Sequence, residues 1–120
     1  MRRFACAGLL IGAITPVAAI AAGDSTRGRE LYETRCIGCH SIEADRIGPR
    51  HRGLIGRRAG SVAGFEYSPA LRAATLVWDA ATLDRWLTDP EATIPGQRMS
   101  YRVGAARDRA DLIAYLTTAR

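Results

Sequence analysis

The sequence predicts an all-α domain in which several short helices are joined by long loops. Apolar residues recur at helical spacing in several stretches, and all but the last start at a residue suited to capping a helix. No run alternates apolar and polar residues convincingly enough to form a sheet. Between residues 46 and 64 the chain carries Gly48, Pro49, Gly53, Gly56, Gly60 and Gly64, the composition of an irregular, looping segment. With no internal repeat, low-complexity tract or interdomain linker, residues 23–120 read as one domain.

Taken in order, the chain opens with Arg2 and Arg3 and then runs uncharged from Phe4 to Ala22. A short basic region, an apolar core and the small-residue exit Ala19-Ile20-Ala21 predict a secretory signal peptide over residues 1–22. Pro16, Thr15, Gly8 and Gly12 make this a poor permanent membrane span, so cleavage near Ala21 or Ala22 is expected. Cys6 falls within it and is given no role. Asp24 or Ser25 can cap a first helix through Gly28, Leu31 and Tyr32. After the looping segment, Ser68-Pro69 can start a short helix reaching Ala74. Asp79 can cap another, with apolar residues at Leu83, Trp86 and Leu87, stopped by Pro90. Ile94 to Met99 reads as a turn-rich loop. A last helix is expected from about Ala105 to Thr118, with Leu112, Ile113, Tyr115 and Leu116 as its buried stripe.

The first of these helices leads into Cys36-Ile37-Gly38-Cys39-His40, a C-x-x-C-H pattern. In a haem-attachment site that spacing lets two sulfurs reach neighbouring vinyl groups of one porphyrin, while the adjacent imidazole can take an axial place on the iron. Three other readings stay open on the residues alone. A thioredoxin-like dithiol usually sits beside a βαβ pattern, which is absent here. A disulfide within so tight a loop would constrain little. Zinc could draw on Cys36, Cys39, His40 and His51, although the adjacent Cys39 and His40 would have difficulty pointing at one ion. So small a chain also buries only a modest core, which an apolar cofactor disc would enlarge.

Charge narrows the range of partners. All seventeen basic residues are Arg; without Arg2 and Arg3 fifteen remain against twelve carboxylates, a formal +3. That balance is too mild for nucleic acid, and no basic stripe with interleaved aromatics occurs. Most of these arginines are expected on a solvated, salt-bridged surface.

If His40 fills one axial place on a haem iron, the remaining sulfur and nitrogen donors of the mature chain are Met99 and His51. Met99 follows Pro95-Gly96 in a loop far enough from the motif to fold over the opposite haem face. His51 lies only eleven residues beyond His40 and is expected to stay on the same side as it. Met99 is therefore the preferred sixth ligand.

Together these motifs resemble the small class I c-type cytochromes, most nearly the mitochondrial-type cytochrome c and bacterial cytochrome c2 branch. The resemblance runs from Gly28 to Leu116 through the stretch Gly48 to Gly60, Gly64-Phe-Glu-Tyr67-Ser-Pro, Trp78, Ile94 to Met99 and Asp111-Leu-Ile-Ala-Tyr115-Leu. It implies a cytochrome c fold packed around one covalently bound haem c, with iron held by His40 and Met99. It further implies that Pro49 offers its carbonyl to His40, and that Arg57, Tyr67 and Trp78 hydrogen-bond or neutralise a buried propionate. Tyr101 matches an aromatic that shields the haem, and Gly28, Tyr32 and Tyr115 match positions where the terminal helices cross. Trp86 stands where this branch often has Tyr near the ligand sulfur, Gln97 replaces a usual Thr, Leu71 a polar residue, and His51 an apolar one. Around the haem edge, Arg35, Arg46, Arg98 and Arg102 remain basic, while Glu30 and Glu91 fall where relatives carry Lys.

The function this implies is that of a soluble one-electron carrier in a respiratory chain, not an enzyme, working by outer-sphere transfer. Expected partners are a quinol:cytochrome c reductase or dehydrogenase as donor and a terminal oxidase or reductase as acceptor. The protein is expected to be periplasmic and monomeric, with no nucleic acid partner and no permanent membrane span. The alternative is a ligand-binding or peroxidatic haem protein in which the Met ligand is labile.

Overall fold

A computed structural model describes residues 22–120; the expected signal peptide and Cys6 lie outside the described residues. Five helices follow in the order α1 (Ser25–Arg35), α2 (Pro69–Ala73), α3 (Ala80–Thr88), α4 (Pro90–Thr93) and α5 (Ala106–Thr118). Among the described residues there is no strand, only an isolated antiparallel bridge between Arg58 and Val77. The all-α expectation holds.

Local chemistry sets the helix ends. The Asp24 carboxylate accepts from the Thr26 and Arg27 N–H groups and starts α1. At the other end the Cys36 N–H donates to Tyr32 O, which makes Cys36 the first residue past the helix. Ser68 Oγ accepts from Leu71 N–H at 3.1 Å, with Pro69 in the first turn of α2. Asp79 and Thr82 form a reciprocal capping box on α3, each side chain accepting the other's backbone N–H at 2.8 Å. Pro90 does stop α3, but the chain is helical again at once. Asp89 closes α3 through its N–H and caps α4 through its carboxylate, with Pro90 in the first turn of α4.

α1 and α5 cross closely and form the main helix–helix contact among the described residues. A Cβ on Gly28 would lie 1.9 Å from Asp111 O, so the two backbones meet with no room for a side chain. Buried Leu112, Ile113 and Leu116 line α5, while Tyr115 is only half-buried. Asp108 and Asp111 are buried as well, which the apolar stripe alone did not indicate. Arg27 bridges both carboxylates, Arg35 reaches Asp108 at 3.2 Å, and Asp111 also accepts Asp24 N–H at 2.7 Å. Backbone and guanidinium donors hold Asp111 below the usual carboxylate range, and Arg27 does the same for Asp108.

The irregular segment satisfies its backbone by folding on itself. Gly48, His51 and Arg52 donate to the carbonyls of Cys39, Ser41 and Ile42 at 2.8, 3.0 and 2.8 Å. Residues 48–52 thus lie alongside residues 39–42. Leu54, Ala59 and Val62 from this segment join Trp78, Leu83 and Trp86 in the same core as the helices. Among the described residues no helix is long and apolar enough to cross a membrane.

Candidate haem site

Where α1 ends, the chain turns tightly enough to bring the whole C-x-x-C-H pattern together. The Cys39 and His40 N–H groups both donate to Cys36 O, at 3.1 and 2.8 Å. Both thiols are free, Cys36 half-buried and Cys39 exposed. Burial pushes the Cys36 thiol up to about 11. Redox-active and metal-binding cysteines need the opposite, a stabilised thiolate.

His40 is held from several directions. Its Nδ1–H donates to Pro49 O at 2.9 Å, which leaves the Nε2 lone pair uncommitted. Gly48 lies directly against the ring: a Cβ there would sit 2.1 Å from His40 Cε1. His51 stacks on His40 with ring centroids 4.1 Å apart and planes 22° from parallel. Burial lowers the proton affinity of both imidazoles, and for His51 the neighbouring His40 and Arg57 add to the effect. Two rings lying face to face do not aim their lone pairs at one ion. Among the described residues no cluster of three His, Cys, Asp or Glu side chains could hold a metal, which removes the zinc reading.

A second group of polar side chains lies behind the looping segment. The backbone N–H of Trp78 donates to Arg57 O at 2.9 Å, tying the two residues together and leaving the indole N–H free to donate. The Arg57 guanidinium donates to the carbonyls of Arg50 and Arg52 and has no carboxylate partner among the described residues. Burial lowers its pKa, so an anion placed there would be welcome. Buried Tyr67 accepts Val62 N–H at 3.1 Å through its hydroxyl oxygen, leaving its own proton to donate. Trp86 packs edge-on against Trp78 at 5.3 Å. An uncompensated guanidinium, a phenol and an indole suit a cofactor carrying carboxylates, and the Cys-Cys-His turn suits its attachment. The residues fit a haem.

Met99 comes from a different kind of segment. Gly96 has φ +88°, a conformation that lets the Ile94–Met99 loop turn sharply. The Glu91 carboxylate accepts Gly96 N–H at 2.9 Å and Gln97 Nε2–H at 3.3 Å. Ile94 is buried, and Met99 is partly buried against the core. Gln97, which stands where the resemblance leads one to expect Thr, has its Oε1 buried without a partner. Tyr101 is 44 % exposed, at the surface. Of the basic residues expected at the haem edge, Arg35 is engaged with Asp108, Arg102 with Asp89 and Arg46 with Ile37 O, while Arg98 is exposed.

A few short helices around a tethering turn of two thiols and an oriented imidazole define a covalent single-haem protein. Residues 25–120 match the family model described as cytochrome c. The chain is 43% identical over 101 residues to a cytochrome c of Gibberella zeae, covering 81% of this chain and 95% of the relative. It is 39% identical over 116 residues to a cytochrome c2 of Rhodomicrobium vannielii, covering 91% of each. Its fold is similar to that of the cytochrome cH from Methylobacterium extorquens, with a TM-score of 0.76 at 36% identity, covering 80% of this chain and 99% of that one. The chain belongs to the cytochrome c family, as a class I c-type cytochrome. It carries one covalently bound haem c and acts as a one-electron carrier, exchanging electrons with other redox proteins rather than catalysing a reaction.

Proposed function

We propose that Cys36 and Cys39 form the two thioether bonds, and that His40 Nε2 and Met99 Sδ would close the coordination of the iron. When bound, the haem supplies an iron that changes oxidation state by one electron. The observation that carries this reading is the held His40 ring, whose Nδ1 is committed to Pro49 and whose Nε2 is free. His51 is a poorer sixth ligand than Met99, because its ring lies on His40 and its Nδ1 is 3.0 Å from the Tyr32 hydroxyl. Arg57, Tyr67 and Trp78 would receive a propionate, Trp86 and Tyr101 would wall the cofactor, and with both axial places filled electrons would pass outer-sphere.

Residues 1–22 would direct the chain across a membrane and be removed, leaving residues 23–120 as a periplasmic domain. The cytochrome c2 similarity supports that location. A quinol:cytochrome c reductase or dehydrogenase would serve as donor, and a terminal oxidase or reductase as acceptor.

Acid–acetone extraction of the holoprotein tests the attachment. Haem should stay with the chain, whose mass should equal the mature polypeptide plus one haem; release into the organic phase would refute it. Met99→Ala should abolish the weak long-wavelength sulfur-to-iron band of the oxidised protein, lower its potential and admit carbon monoxide to the reduced form. An unchanged spectrum and potential would show that another group is the ligand. Carbon monoxide binding by the unsubstituted protein at neutral pH would favour the ligand-binding or peroxidatic reading.

A further inference from the structure

Pro49 holds one nitrogen on the edge of the His40 ring and Gly48 closes on the ring near Cε1, but neither presents a flat surface to it. A flat ring at 4.1 Å and 22° opposes tilting of His40, and His51 supplies one. His51 is itself held. Its Nδ1 lies 3.0 Å from the Tyr32 hydroxyl, and the two rings meet edge-on at 5.7 Å. Tyr32 is buried to 2 % exposure on α1, with Tyr115 of α5 at 5.3 Å. A line of contacts therefore runs from the α1–α5 crossing through Tyr32 and His51 to the face of His40. At 3.0 Å the phenol O–H and the imidazole Nδ1 are within hydrogen-bond distance, the phenol having a proton to donate.

The geometry points to His51 as a positioning residue for the axial imidazole, oriented in turn by Tyr32, so that the plane of His40 is set from the α1–α5 crossing. This rests on the reading of His40 as an axial ligand. Groups beyond the ligands that fix an imidazole's orientation tune the metal it binds. An aliphatic side chain of similar bulk at position 51 would fill space but present no plane to stack on. The hydroxyl of Tyr32 acts only through His51, so the two residues should behave as one device.

The test uses the oxidised holoprotein, read by the proton NMR shifts of the haem methyls and by its reduction potential. His51→Leu should redistribute the methyl shifts and move the potential. Tyr32→Phe should move both the same way and by less. The double variant should match His51→Leu alone, because coupled residues are not additive. His51→Phe restores a flat ring and should bring the pattern back toward that of the unsubstituted protein. Unchanged shifts and potential in His51→Leu, or additive effects in the double variant, would overturn the inference. Tyr32→Phe and His51→Phe keep the bulk of the core, which guards against a variant that fails to fold. An unsubstituted holoprotein lacking a low-spin, six-coordinate spectrum would instead overturn the ligand reading, and the inference with it.

Discussion

The two sides of the haem site are built differently. On the His40 side, the ring is hydrogen-bonded at Nδ1 by Pro49, met at Cε1 by the Gly48 backbone and covered by His51. Those residues sit on a segment whose own backbone is paired at 2.8–3.0 Å with residues 39–42. The proposed second donor, Met99, ends a short turn closed by the Gln97 N–H on Ile94 O at 3.2 Å and by the Glu91 carboxylate, beside the unpartnered Gln97 Oε1. The chain thus pre-organises one of the two proposed donors itself and leaves the other on a segment with fewer tethers. A site built this way can place the attached end first and settle the second donor afterwards.

The largest effect should come from breaking the rigid side. Gly48→Ala would place a methyl 2.1 Å from His40 Cε1, on a ring that cannot swing clear without losing Pro49. Overpacking of this kind costs about 1–3 kcal/mol, and here the upper end is expected. Haem content and thermal melting of the purified protein should both fall; a variant that matches the parent would mean the ring has room to move.

A smaller effect should follow from the crossing on which the rigid side leans. Asp108 and Asp111 have depressed pKa values in the folded chain, so the stability they add is present above the ordinary carboxylate range. It is lost as pH falls through their folded values, when both must be protonated. Asp111→Asn should lower the melting temperature at pH 7 and make the remaining acid transition shallower. A melting temperature with unchanged acid dependence would assign that transition to other carboxylates.

The smallest effect should be on the lightly tethered side. Glu91→Ala removes two exposed hydrogen bonds, at 2.9 and 3.3 Å, for a cost of about 0.5–1 kcal/mol. The long-wavelength sulfur-to-iron band should disappear at a lower temperature than in the parent, while overall melting barely moves. If both transitions shift together, the Met99 loop is not a separately yielding unit.

The same contrast separates what the residues disclosed from what they concealed. Helices α1, α2, α3 and α5 were legible because Asp24, Ser68 and Asp79 are strong caps and because apolar spacing marks α5. α4 is not evident in the sequence because Pro90 reads as a stop for α3, although a proline after a capping Asp is also a start. Buried Asp108 and Asp111 were not legible, since their partner Arg27 lies 81 and 84 residues away. The Cys-Cys-His turn stands out in the sequence because its residues are adjacent. The Tyr32–His51 contact does not: nothing near either residue announces the other.

The crossing of α1 over α5 also bears on how the domain is made. Gly28 and Asp111 come from opposite ends of the domain, and bringing such distant segments together carries a loop-closure cost that local contacts do not. During synthesis α1 and the Cys-Cys-His turn emerge early, with Gly28 lacking Asp111 and Tyr32 lacking Tyr115 until the thirteen residues of α5 follow. A chain interrupted before that point carries both thiols just beyond a helix that has not yet docked.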